Sequence, residues 1–109
     1  MRKMASSRGY LEFVLEQLAE LDGITYRSMM GEYILYFRGK IAAYICDDRL
    51  LVKPVKAAIT LMQDAPYEVP YEGAKEMILV KNADDREYLK ELFEAMYSAL
   101  PEPKKKKGK

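Results

Sequence analysis

"YILYFRGKIAAYICDDRLLVKP", residues Tyr33 to Pro54, decides the fold. It holds three short apolar runs, "YILYF", "IAAYIC" and "LLVKP", divided by Arg38-Gly39-Lys40 and by Asp47-Asp48. Runs of this length, rich in β-branched and aromatic residues and separated by turn formers, read as consecutive antiparallel hairpins. A further strand is predicted before them at Ile24 to Met29 and another after them at Glu76 to Lys81. The expected centre of the molecule is an antiparallel β-meander of four to five strands.

Register follows from the turns. With two-residue loops at both hairpins, Phe37 pairs with Lys40, Tyr33 with Tyr44, and Cys46 with Arg49. Side chains alternate along a strand, so one face then carries Ile34, Tyr36, Ile41, Ala43, Ile45, Leu50 and Val52. That face is apolar throughout and is the expected core side. The other carries Tyr33, Leu35, Phe37, Ala42, Tyr44, Cys46, Arg49, Leu51 and Lys53, aromatic rings beside cations, a mixture suited to a partner interface. Tyr33, Phe37, Tyr44, Arg49 and Lys53 are therefore the candidate partner-binding residues. Arg38 is poorly suited to positive φ, and a glycine bulge at Arg38-Gly39 would shift the pairing by one and exchange faces within that hairpin.

Helices flank the meander. Leu11, Val14, Leu15, Leu18 and Leu21 recur at helical spacing from Arg8 to Leu21, with Glu12, Glu16 and Glu20 on the far side and Gly23 just beyond. Ser6 or Ser7 can cap its start. From Asp85 to Leu100, Leu89, Leu92, Phe93, Met96 and Leu100 form a second stripe, and Asp84 and Glu87 have capping-box spacing. A short helix is predicted over Val55 to Met62, with Pro54 in its first turn. "DAPYEVPYEG" contains two prolines and reads as an extended surface loop. The fold class is α+β, the sheet packed against the N-terminal and C-terminal amphipathic helices.

Composition bounds the function. The 109 residues are 50% hydrophobic and 32% charged, with a formal charge of +1, values of an ordinary globular domain. No apolar run approaches the ~20 residues a bilayer span needs, and no signal-peptide pattern opens the chain, so no membrane association and a cytoplasmic location are expected. One cysteine and no histidine remove the internal disulfide, the usual transition-metal ligand sets and the His-based triads. Neither a P-loop nor a dinucleotide-binding glycine pattern occurs, and the expectation is no cofactor, no metal and no catalytic residue. The last nine residues carry five of the 18 basic residues and one of the 17 acidic ones, leaving a mildly acidic body. That tail, 101–109, reads as disordered, after a flexible N-terminus at 1–6 and a domain at 7–100.

Individual residues each have a plain structural reading. Asp47 and Asp48 suit a turn better than a cation site, because adjacent hairpin residues point apart. Cys46 reads as a small buried hydrophobe. Lys53 reads as a structural or partner-facing lysine, since a lowered pKa would require burial.

The run "MMGEYILYFRGKIAAYICDDRLLVKP", Met29 to Pro54, resembles the amino-terminal domain of the TfoX/Sxy family. The likeness rests on Met30, Gly31 and Tyr33, then Gly39 and Lys40 at the hairpin, Asp47 and Asp48 at the turn, and Leu51 and Lys53 at its end. The preceding helix and "PYEGAKEMILV" extend it over roughly Ser7 to Leu100. The resemblance implies an α+β domain and a role as a transcriptional co-regulator of DNA uptake. No counterpart of the separate carboxy-terminal domain of full-length competence regulators is expected after the last helix.

Three classes of function follow. The first is a non-catalytic protein-binding module with a partner in the transcription machinery, open to homodimer formation. The second is a nucleic-acid accessory protein whose tail lysines, Lys104, Lys105, Lys106, Lys107 and Lys109, make weak nonspecific contact through counterion release. The third is a small enzyme using Lys53, a tyrosine and a carboxylate.

Overall fold

A computed structural model of the chain describes residues 8–29 and 31–101. The elements run α1 (Arg8–Gln17), β1 (Ile24–Met29), β2 (Glu32–Phe37), β3 (Lys40–Cys46), β4 (Arg49–Val52), α2 (Lys56–Leu61), β5 (Tyr67–Glu68), β6 (Met77–Leu79) and α3 (Arg86–Tyr97). The strands form one antiparallel sheet in the order β1-β2-β3-β4-β6-β5. The fold is α+β as expected, with six strands rather than four to five. The additional strand is β5, inside the stretch expected to be loop: Tyr67 and Glu68 lie between Pro66 and Pro70 and pair with Ile78 and Met77. Proline is tolerated there because β5 is an edge strand.

Both hairpin turns are two-residue loops. Arg38 and Gly39 have φ of 52° and 86°, and Asp47 and Asp48 have 53° and 55°, the two consecutive positive values of a type I′ turn, whose twist matches that of the strands. Phe37 pairs with Lys40 and Cys46 with Arg49, as the turns require. Tyr33, however, pairs with Ile45 instead of Tyr44. The register shifts between Leu35 and Tyr36: Leu35 lies opposite Ala43, Tyr36 opposite Ile41, and Ala42 is the extra residue of β3. The irregularity thus sits three residues past the glycine turn, at an alanine pair.

Slipping by one residue exchanges the faces of β2. Leu35 and Phe37, assigned above to the partner side, are fully buried in the core, and Tyr33 packs against its edge. Ile34, Tyr36 and Ile41, assigned to the core side, lie on the opposite face. The assignment holds for Ala43, Ile45, Leu50 and Val52, all fully buried in the core. Ala42 and Ala43 are both buried there as well, and their small side chains let two consecutive residues sit beneath the helices.

All three helices contribute to this one core: Leu11 and Val14 from α1, Ala58 from α2, and Leu89, Leu92, Phe93 and Met96 from α3. Each large side chain removed from water there stabilises the fold by roughly 1.5–3 kcal/mol. Helix α1 ends at Gln17, short of the predicted Leu21, yet Leu18 and Leu21 stay in the core because turn hydrogen bonds carry the chain on (Leu18 N to Val14 O, 3.1 Å; Leu21 N to Leu18 O, 3.0 Å). The N-cap of α3 is Asp85, whose carboxylate accepts from the Tyr88 amide at 3.0 Å. The capping frame is therefore one residue later than Asp84 and Glu87. Helix α2 begins at Lys56 with Val55 as its uncapped N-cap, so Pro54 precedes the helix instead of opening it. Ser6 and Ser7, the proposed caps of α1, lie outside the described residues.

The β2–β3 turn is tied down on two sides. The Arg38 amide donates to Gly23 O at 2.8 Å, and the Arg38 guanidinium lies 4.6 Å from the Phe37 ring centre and 5.3 Å from that of Tyr97. Gly23 has φ +88°, and a Cβ there would stand 2.7 Å from Arg38 Cγ. Two results are expected from chemical denaturation. Phe37→Ala should cost about 3–5 kcal/mol as a core truncation and Tyr36→Ala clearly less; equal losses would contradict the observed register. Gly23→Ala should cost about 1–3 kcal/mol through its backbone strain, with crowding against Arg38 adding to it.

Candidate docking cleft

The face of the sheet turned away from the helices carries Ile34 and Tyr36 from β2, Tyr44 and Cys46 from β3, Arg49 and Leu51 from β4, and Lys53 just past β4. Cys46 and Leu51 are fully buried and Ile34 and Met77 nearly so, which means this side is partly covered too. Part of the cover is the segment from Pro70 to Glu76, which leaves the β5 edge, crosses the sheet and returns as β6. Its tip is a turn closed by the Ala74 amide donating to Tyr71 O at 3.0 Å. Gly73 sits at the turn position with φ +89°, where a type II turn requires the left-handed region. Pro70 is buried, and the Tyr71 ring lies 6.2 Å from that of Tyr44.

Between this strap and the sheet runs a cleft of about 400 Å³. Tyr44, Lys53 and Met77 line it from the sheet, Pro54 closes one end, and Pro70, Tyr71 and Lys75 belong to the strap. The strap does not seal it: Tyr44, Lys53 and Tyr71 are all half-buried. Burial raises the Tyr44 phenol above its ordinary value of 10.0, and the hydrogen bond with the Tyr71 hydroxyl adds to the shift. The Lys53 ammonium makes no hydrogen bond or ion pair with any described residue. Glu76 also lines the cleft, so it holds two ammonium groups against one carboxylate.

The five predicted partner-binding residues thus separate. Tyr44 and Lys53 come together in the cleft. Phe37 is withdrawn from any interface by complete burial, and Tyr33 lies on the helix side, its ring edge-on to Tyr26 at 5.9 Å. Arg49 is engaged internally: it forms an ion pair with Glu68, lies 3.8 Å from Asp47, and donates through Nε to Cys46 O at 3.1 Å. It joins the β3–β4 turn to β5 and is a bracket, not a free hand. Asp47 and Asp48 occupy the turn. The tail lysines Lys104, Lys105, Lys106, Lys107 and Lys109 lie outside the described residues.

Comparison with known proteins gives the family. The model of the TfoX N-terminal domain matches residues 16–101. This chain belongs to the TfoX N-terminal domain family. The TfoX-type chain is also 31% identical over 107 residues, 97% of its own length and 93% of the relative's, to an "Uncharacterized 12.7 kDa protein in trpE 5'region" of Spirochaeta aurantia. No solved structure matches it. Within the TfoX-type domain described here, no helix is long and apolar enough to cross a membrane.

The strap residues Tyr71 and Lys75 were not singled out from the sequence. A usable signal was present in "PYEG", where a proline and a glycine bracket a tyrosine, but nothing local says that the loop folds back over the sheet. Three half-buried tyrosines give a pH prediction. The folded state holds the protons of Tyr44, Tyr10 and Tyr88 more tightly than the unfolded chain, whose tyrosines ionise near 10.0, with burial the leading cause at each. Their contribution is fully present below pH 10.0 and is lost as pH rises through the raised folded values. Thermal denaturation followed against pH should show stability falling above about pH 10, and Tyr44→Phe should flatten that fall. A Tyr44→Phe profile identical to the parent would remove Tyr44 from the account.

Proposed function

We propose that this TfoX N-terminal domain protein is a non-catalytic protein-binding module whose docking site is the cleft between the strap and the helix-free face of the sheet. The observation that carries the reading is Lys53, a half-buried residue at the cleft with no side-chain ion pair among the described residues. A lysine without an intramolecular ion pair, set beside apolar and aromatic lining, offers a partner's carboxylate a charge-assisted hydrogen bond. The apolar and aromatic lining from Pro54, Tyr44, Tyr71 and Met77 supplies the area an extended segment can bury. The favoured partner segment is short, extended and acidic at one position.

Family membership supports placing that partner in the transcription machinery, with the chain acting as a co-regulator in the manner of the competence regulators it resembles. A pull-down with the full chain tests the docking site. Lys53→Ala and Tyr44→Ala should each lower recovery of the bound protein at least about tenfold, equivalent to ~1.4 kcal/mol, with circular dichroism unchanged. Arg49→Ala should instead lower thermal stability. A partner retained equally by the parent and both cleft variants would sink the reading.

A further inference from the structure

A separate surface is left open by the described residues at the other end of the sheet. Strand β1 is terminal in the strand order, and Thr25, Tyr26, Arg27 and Ser28 are all exposed. The opposite edge is blunted by the shortness of β5, two residues long, whereas β1 runs for six residues, Ile24 to Met29, with no proline, lysine or bulge. An edge of this kind is a template for another strand.

The direction of its backbone groups is set by the neighbouring pair. Gly23 O accepts from the Arg38 amide, which makes Gly23 and Arg38 a hydrogen-bonded pair. Alternation along an antiparallel ladder then turns Thr25, Arg27 and Met29 toward β2 and leaves the N–H and C=O groups of Ile24, Tyr26 and Ser28 pointing outward. We infer that a second copy of this chain occupies this edge, β1 pairing antiparallel with the partner's β1 about a twofold axis at Tyr26.

The strand's own residues select that register. With Tyr26 opposite the partner's Tyr26, Ile24 meets the partner's Ser28 and Ser28 the partner's Ile24, so every outward backbone group of the strand is paired. Arg27 then lies opposite the partner's Thr25. Moving one strand by two residues in one direction sets Arg27 directly against the partner's Arg27, a like-charge cross-strand pair. Moving it the other way leaves Ser28 beyond the end of the facing strand. The registers of odd offset bring inward-facing groups to the seam. The twofold keeps the helices of both copies on one side of a continuous sheet, an isologous closed arrangement. A formal charge of +1 opposes it little. Edge pairing buries a modest area, so the dimer belongs to the weak, concentration-dependent class.

Sedimentation of the full chain over a concentration series should show the mass rising from one chain toward two. Tyr26→Lys and Tyr26→Glu each place like charges face to face on the axis and should hold the chain at single mass, with circular dichroism unchanged. An equimolar mixture of the two should recover the dimer, because the facing residues are then opposite in charge. A single mass for the parent across the series overturns the inference. So does a dimer that survives in both variants, or a mixture that stays at single mass. Lys53→Ala should leave the association untouched, which separates it from the docking cleft.

Discussion

The one-residue shift in β3 at Ala42 governs how this molecule is put together. Leu35 and Phe37 point at the helices only because the ladder slips between the turn and the middle of the hairpin. Without the slip, the Ile34 and Tyr36 side of β2 would face α1 and α3, and Phe37 would lose its edge-on contacts with Phe93 and Tyr97, at centroid distances of 6.2 and 5.2 Å. A bulge costs ladder hydrogen bonds locally and increases twist. Here it lets one hairpin satisfy two demands, a tight type I′ turn at Arg38-Gly39 and a core-facing Phe37 beneath the last helix.

The same hairpin completes the end of α3. That helix has no basic residue in its last turn, where unpaired carbonyls and the negative end of the dipole favour a cation. Lys40 supplies one from the sheet: only 8% exposed, its Nζ donates to Tyr97 O at 3.3 Å and lies 4.3 Å from the centre of the Tyr97 ring. Arg38 contributes a second cation above the same ring. Positive φ at Arg38 is thus held by a backbone hydrogen bond below and by two aromatic faces above. Gly23, lacking a Cβ, leaves room for the Arg38 side chain.

Sequence periodicity identified the meander, both turns, the two long helices and β1 because each depends on local chemistry: alternation, positive-φ turn residues and a 3.6-residue stripe. Its failures were non-local. Nothing within "KIAAYIC" announces that two adjacent alanines share the core, since that outcome is decided by helices far along the chain. Of the residues lining the cleft, Tyr44 and Lys53 were legible because β3 from Ala43 onward and β4 kept their predicted faces. Phe37 and Tyr33 were misassigned because β2 did not. The roles of Arg49 and Lys40 depend on Glu68 and Tyr97, which no local pattern connects to them.

The strap suggests how such a scaffold diversifies. The tip at Gly73 has nothing within 4 Å of a Cβ built there, and it is removed from the helical core. Loop-closure entropy grows by only about 0.6 kcal/mol for each doubling of loop length. Residues inserted at that apex would deepen or narrow the cleft while β5, β6 and the bulged hairpin keep their pairing. The shape of the cleft and the foldability of the domain are therefore carried by separate stretches of chain, and the first is free to drift while the second is held.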